Sequence, residues 1–406
     1  MKYSLWFLLS AYVFSRAQAQ QSPDWPSYNG EICPWNPFHR PFSMSCPISD
    51  PHKLKLTYDE TDAAEHGWIG PHSCLGRFCV WSNDGYGDGG ASIVTTLSNK
   101  HRVAQISKRA HDVDHDTSHF QAAAIPGKGI GLVATRLIRR GERIMAMRPA
   151  LVVHEDLIDE LALDSQNKLL DQATRALPEE RRGIFLAQAG ELGGHRIADI
   201  LFTNSFQVFL SMGGDWHFGN FPEVSRLNHD CRPNLAFYID QNLTHRTHAI
   251  RDIQAGEELT ISYLDSFRAR AVRQARAHAS WGFSCRCSQC SLSDAEAEAS
   301  DARLFSIYQV ENQLTDLKNA NVSTLTVEKL VALYKEERLD HKIADAYTLA
   351  ALNYNTFGLE AMAKAYAKLS LEQGLLEHGP DSADMEAMRI LAIDPKSHWT
   401  WNTRQP

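Results

Sequence analysis

The chain has 406 residues, of which 43% are hydrophobic and 22% charged. This composition is typical of globular proteins and excludes a wholly disordered chain, a collagen-like rod or a coiled-coil fibre. The length predicts about two or three domains. The formal net charge of −8 argues against non-specific binding of nucleic acid, which needs a basic surface, and suits a lysine-bearing protein as partner.

Residues 1–19 are predicted to be a secretory signal peptide. Lys2 precedes an apolar run over residues 5–14, and a small-x-small cleavage signature, Ala-Gln-Ala, ends at Ala19. We therefore expect a secreted or secretory-pathway protein without a membrane span, or a nuclear or cytoplasmic one if the leader is not used. Asn242 and Asn321 begin sequons that would be glycosylated in the secretory lumen.

Residues 20–118 form a predicted N-terminal region rich in Pro, Gly and Ser. Short strand-like runs at 78–81 and 92–96 flank a glycine-rich loop, which predicts a small β module. Four cysteines in a chain with a secretory leader predict two disulfides, and the connectivity among them stays open. These cysteines are Cys33, Cys46, Cys74 and Cys79.

The pattern changes near residue 119. Glycine-punctuated short strands are predicted over residues 121–147, and residues 155–212 have mostly helical periodicity, with its last helix over residues 197–209. Three further strands are predicted, at 235–239, 247–250 and 259–263.

The last third of the chain is predicted to be helical, over residues 300–395. Ile307, Val310 and Leu314 fall on one helical stripe, and alanine-rich runs follow. Paired helices with small residues at their contacts favour a tetratricopeptide-like array. Residues 291–301 are acidic and polar and are predicted to form a linker.

Four motifs occur in order in the middle of the chain. A glycine segment at 127–132 lets a ligand approach the backbone, although alone it also fits a plain turn. Residues 228–234 read Asn-His-x-Cys-x-Pro-Asn and crowd hydrogen-bonding groups. Residues 256–263 read Gly-Glu-Glu-Leu-Thr-x-x-Tyr. Cys-x-Cys-x-x-Cys at 285–290 favours metal ligation, with disulfides as the alternative.

Together these motifs resemble the SET-domain protein lysine methyltransferases over about residues 119–290. The helical insert, residues 203–206 and the helical C-terminal region resemble the SET-MYND branch. Residues 155–212 contain no cysteine, so the MYND finger is missing. Asp230 stands where that family usually has serine, which puts a carboxylate near the cofactor pocket.

The resemblance implies an α+β chain: a β-rich SET and post-SET domain over 119–291 with a helical insert and zinc-binding tail, then an all-α C-terminal domain. It implies an S-adenosylmethionine-dependent protein-lysine methyltransferase, acting on a histone or non-histone protein. The implied roles are cofactor binding for Lys128, Gly129, Ile130, Asn204, Asn228, His229 and Phe283, catalysis for Tyr263, and one structural Zn²⁺ on Cys231, Cys285, Cys287 and Cys290. The alternative is an inactive SET fold that binds a protein partner through its C-terminal helices.

Overall fold

A computed structural model describes residues 67–109, 118–210, 216–317 and 319–404. The predicted signal peptide, Cys33 and Cys46 lie outside the described residues. Within them, no helix has the length and apolar character needed to cross a membrane.

The first sheet has six strands. They are β1 (Ile69–Leu75), β2 (Phe78–Asn83), β3 (Ala91–Thr95), β7 (Leu151–His154), β8 (Ser205–Phe209) and β9 (Trp216–Asn220), in the spatial order β1-β2-β3-β7-β9-β8. The predicted strands at 78–81 and 92–96 are confirmed as β2 and β3, and a disulfide joins Cys74 to Cys79 across β1 and β2. Helix α1 (Leu97–Arg109) follows β3. The predicted β module thus shares its sheet with strands of the next region.

Two smaller sheets carry the four motifs. One contains β4 (Phe120–Ile125), β5 (Gly129–Ala134), β10 (Asn228–His229) and β13 (Glu258–Ile261), in the order β10-β13-β5-β4. The other contains β6 (Arg143–Met147), β11 (Leu235–Ile239) and β12 (His245–Ala249), in the order β11-β12-β6. Buried Leu132, Leu227 and Leu259 belong to one hydrophobic core beneath these sheets, so burial fixes which faces of the strands point outward.

In the described part of the insert before the Asn-His motif, the helices are α2 (Leu157–Glu160), α3 (Leu163–Arg175), α4 (Glu179–Leu186) and α5 (Arg196–Asn204). The prediction that the last helix continues to residue 209 is wrong. Helix α5 ends at Asn204, and residues 205–209 form β8, antiparallel to β9. Phe206 and Val208 favour strand structure, and β9 supplies the partner that local periodicity does not reveal.

Helix α6 (Arg270–Trp281) lies between β13 and the later cysteines. Among the described residues, the C-terminal region contains the helices α7 (Asp294–Thr315), α8 (Thr324–Glu336), α9 (Ile343–Thr356), α10 (Glu360–Glu377) and α11 (Ala383–Ile393). The predicted stripe of Ile307, Val310 and Leu314 is buried in their core. The predicted linker at 291–301 is wrong because α7 begins at Asp294. A capping box between Ser293 and Glu296 starts this helix. The tetratricopeptide-like arrangement stays a prediction.

Candidate functional site

Parallel pairing of β10 with β13 positions the Asn-His motif. Asn228 lies opposite Thr260, and His229 opposite Ile261. Asn234, whose role sequence reasoning missed, fastens the end of this loop. Its Oδ1 accepts from the Thr260 N–H at 2.9 Å, and its Nδ2 donates to the Glu258 carbonyl at 2.8 Å. The loop is therefore held rigidly against the strand that leads to Tyr263.

The glycine segment and the Asn-His motif meet at Glu258. Lys128 Nζ lies 2.7 Å from Glu258 Oε2, and Asn228 Nδ2 donates to Glu258 Oε1 at 2.9 Å. A Cβ added to Gly131 would lie 2.6 Å from Asn228 Nδ2, so only glycine allows this close approach. Residues 128–130 are exposed beside it, which leaves an edge open to a ligand.

Tyr263 and His229 are held together in uncharged forms. The buried His229 ring (4% exposed) accepts the Tyr263 N–H through Nδ1 at 3.0 Å. Burial lowers the pKa of His229 to about 4, so its ring is neutral at pH 7. The Tyr263 hydroxyl donates to the Leu227 carbonyl at 2.6 Å. Burial and the charge of Glu258 raise the pKa of Tyr263, which keeps the phenol protonated.

Two further aromatic rings lie against Tyr263 and His229. The Trp281 ring lies 5.4 Å from Tyr263, and its indole N–H donates to the Thr203 carbonyl at 3.0 Å. Phe283 lies 5.9 Å from His229. Sequence reasoning missed Trp281, whose only signal was its position two residues before Phe283. Through this tryptophan, the end of α5 reaches the Tyr263 site.

Two other predicted site residues have different surroundings. Asn204 uses its side-chain amide nitrogen to donate to the carbonyls of Ala189 and Ile200, at 2.7 and 2.8 Å, so this group closes the end of α5. Asp230 Oδ1 accepts the Arg232 N–H at 2.8 Å, so part of the carboxylate is used within its own turn. Burial raises the pKa of Asp230 to about 6.

The four later cysteines form one buried cluster of free thiols, with all sulfur atoms within 4.8 Å of one another. Cys231 Sγ and Cys290 Sγ are 3.6 Å apart. A disulfide needs about 2.0 Å, whereas two thiolates on a tetrahedral Zn²⁺ lie about 3.8 Å apart, given Zn–S bonds of about 2.3 Å. The donor set therefore fits a closed structural zinc site and does not fit the disulfide alternative.

This arrangement of a glycine strand, an Asn-His segment paired to a neighbouring strand and a half-buried tyrosine matches a described class of domain. The profile of the SET domain matches residues 129–264, from the first residue of β5 to just past Tyr263. The chain therefore contains a SET domain.

Two similar proteins are both named histone-lysine N-methyltransferases. Histone-lysine N-methyltransferase set5 of Schizosaccharomyces pombe is 27% identical over 294 residues, covering 70% of this chain and 86% of its own length. Histone-lysine N-methyltransferase SMYD3 of Homo sapiens is 35% identical over 99 residues, covering 24% of this chain and 23% of its own length. The chain thus spans less than a quarter of the human relative. The SET-domain match and these relatives together support the assignment of the chain as a protein-lysine methyltransferase.

Proposed function

We propose that the protein transfers a methyl group from S-adenosylmethionine to the neutral amine of a protein lysine, on a histone or another protein. The single observation that carries this proposal is the fixed, protonated Tyr263 phenol beside the Asn228-His229 segment, which pairs with β13. Such a phenol supplies an oriented dipole without an acid–base group or a catalytic metal.

The residues present fit S-adenosylmethionine, which supplies a methyl group on a sulfonium when bound. The exposed residues 128–130 and the half-buried Asn228 offer hydrogen bonds at one edge. Phe283 is half-buried and offers a ring for stacking against an adenine. Asn204 is the predicted contact with the weakest support, because its amide nitrogen already donates to two carbonyls.

The aromatic side chains near Tyr263 bear on the main chemical requirement of the reaction, which is an uncharged lysine amine. A free lysine amine has a pKa of about 10.4 and is almost entirely charged at pH 7, and a charged amine cannot attack. An apolar channel beside Tyr263 and Trp281 would disfavour the ammonium form by desolvation. The same side chains would align the amine, and positioning of this kind can contribute up to about 7–11 kcal/mol in the best cases.

We also propose that Cys231, Cys285, Cys287 and Cys290 bind one structural Zn²⁺. Cys231 follows β10, and the other three follow α6. The ion would therefore clasp the segment that carries Phe283 to the loop that carries His229. It would complete the site without touching the reacting atoms.

Labelled-methyl transfer to a protein mixture tests the function. Wild type should transfer methyl to protein lysine, and Tyr263→Phe should abolish transfer while calorimetry still shows S-adenosylmethionine binding. Asn228→Ala should weaken that binding. A wild type that binds the donor with its zinc in place but methylates no protein would support the alternative, a SET fold serving as an interaction module.

For location, we propose that the leader directs the chain into the secretory pathway. Asn321 is exposed between α7 and α8, whereas the sequon of Asn242 includes the buried Thr244. Expressed in a eukaryotic cell, the full chain should lose apparent mass on glycosidase treatment, and Asn321→Gln should remove most of that change. An unglycosylated chain that keeps its leader would favour the nucleus or cytoplasm.

A further inference from the structure

A second group of side chains of types that can bind a metal ion lies in the helical C-terminal region. Asp345 lies in the first turn of α9, Glu377 ends α10, and His378 follows it. One donor atom from each of the three lies within 4.8 Å of the others. His378 Nε2 is 3.1 Å from Asp345 Oδ1 and 3.9 Å from Glu377 Oε2.

Glu377 is the unusual member of this group. Its side chain is buried (3% exposed), and neither carboxylate oxygen has a hydrogen bond of normal geometry among the described residues, although the Ala344 backbone N–H lies close enough to lower its pKa. A buried carboxylate without hydrogen bonds of normal geometry is costly, so it takes up a proton or binds a cation. Burial raises the pKa of Glu377 to about 8, which reflects the free-energy cost of burying its charged form.

The end of α10 holds His378 in a defined direction. Its N–H donates to the Gly374 carbonyl at 2.7 Å, and the chain then turns through Gly379 at a φ of +77°. A Cβ at Gly379 would lie 2.5 Å from the Tyr238 ring of β11, so the turn packs tightly on the SET domain. The donors therefore sit on well-packed elements, as a pre-organised site requires.

We propose that Asp345, Glu377 and His378 bind a divalent transition-metal ion, with Zn²⁺ the best match. One imidazole and two carboxylates form a mixed nitrogen and oxygen set, whereas Mg²⁺ and Ca²⁺ prefer oxygen ligands alone. Zn–N and Zn–O bonds of about 2.0–2.2 Å place donors of a tetrahedral site about 3.4 Å apart. The two observed separations from His378 Nε2 bracket that value.

Charge around the cluster also favours a cation. Asp345 and Glu377 can carry two negative charges, and Lys342, whose charge lowers the pKa of Glu377, offers one positive charge. Although burial opposes protonation of His378, the hydrogen bond and charge of Asp345 raise its pKa above the usual value. The metal ion would displace this proton, so binding should release protons.

Zinc counting tests the site on the full chain. After saturation with Zn²⁺ and removal of loosely held ion, elemental analysis should find two zinc ions in wild type and one each in Glu377→Gln and Asp345→Asn. Glu372→Gln, an exposed acid on the same helix, is the matched control and should keep both. Cys287→Ser should lose the other ion, which separates this site from the cysteine cluster.

The readout is the difference in zinc content between wild type and Glu377→Gln. Equal content would overturn the proposal and identify Glu377 as a neutral acid in the core. Added Zn²⁺ should also raise the thermal midpoint of wild type by more than that of Glu377→Gln, because only a folded site binds it. Asp345, whose side chain is 24% exposed, gives a second variant that perturbs packing less. None of these measurements depends on methyl transfer, so the metal-site proposal can fail while the proposed function stands.

Discussion

In the β-rich half, the residues of the candidate site come from distant positions in the chain, whereas in the helical half sequence neighbours are spatial neighbours. Lys128 meets Glu258 across 130 residues, while α7 to α11 pack mainly against the next helix into one apolar core. The candidate site in the first half depends on a few polar contacts that close long loops, whereas the second half depends on many interchangeable apolar contacts. Single substitutions should therefore damage the site more readily than the helices.

One polar network joins the halves. Arg232, next to the cysteine cluster, donates to the backbone carbonyl of Glu337 and lies 2.9 Å from its Oε2. Ser300 and Arg303 of α7 also donate to this carboxylate, at 2.8 and 2.6 Å. Glu337, just after α8, is only 1% exposed. Sequence reasoning did not find this junction, because no local pattern marks a buried glutamate.

The largest effect should follow loss of the cysteine cluster. Cys287→Ser, or zinc removal by a chelator, should release the segment after α6. The free energy of unfolding of the site should fall by several kcal/mol, since structural zinc contributes about 10–16 kcal/mol in small domains. Proteolysis should cut near residues 283–290 while α7 to α11 stay protected. Ser284→Ala, at an exposed neighbour, should behave as wild type; equal protection in Cys287→Ser would contradict the contrast between the halves.

Breaking the junction should come next. Glu337→Gln leaves the buried Arg232 guanidinium without its carboxylate, which should cost about 3–5 kcal/mol in the free energy of unfolding. Urea denaturation measures this. Glu336→Gln is the control, because that carboxylate is 58% exposed and should matter by less than about 1 kcal/mol. Equal losses in the two variants would remove Glu337 from its role as the junction.

A smaller effect on stability, with a clear effect on ligand binding, is expected at Gly131. In Gly131→Ala the new methyl group would collide with Asn228 Nδ2 and with Ile125 Cγ1, at 2.6 and 2.7 Å. The resulting shift should cost about 1–3 kcal/mol and weaken S-adenosylmethionine binding in calorimetry. Gly141→Ala tests specificity, since its Cβ would meet nothing within 4 Å and only its positive φ is strained. Unchanged binding in Gly131→Ala would show that Asn228 need not hold its position.

The smallest effect should come from the ion pair at the rim. Lys128→Met removes a partly exposed pair with Glu258, so the free energy of unfolding should change by less than about 1 kcal/mol. The predicted cofactor contact at Lys128 is through its backbone, so donor binding should persist. A loss of binding beyond about tenfold would show that the ammonium group itself is required.

Much of the site followed from local signals. The order of the four motifs, the tight cysteine spacing and the stripe of Ile307, Val310 and Leu314 can be read from the chain because each depends on nearby residues. The structure brings Asn228, His229 and Tyr263 together as the resemblance implied. The helix predicted through residue 209 failed, because the apolar pattern of 205–209 suits a strand equally well once β9 is available.

The amino-acid sequence by itself determined the class of domain, the thiol cluster and the helical character of the last third, since spacing and periodicity are properties of the chain. Only the tertiary structure decided that Trp281 faces Tyr263, that Glu337 joins the halves, and that Glu377 is buried beside His378. The physical reason is that the protonation and hydrogen bonding of a polar group depend on the donors, charges and apolar side chains around it. Folding brings these neighbours together from distant positions in the chain.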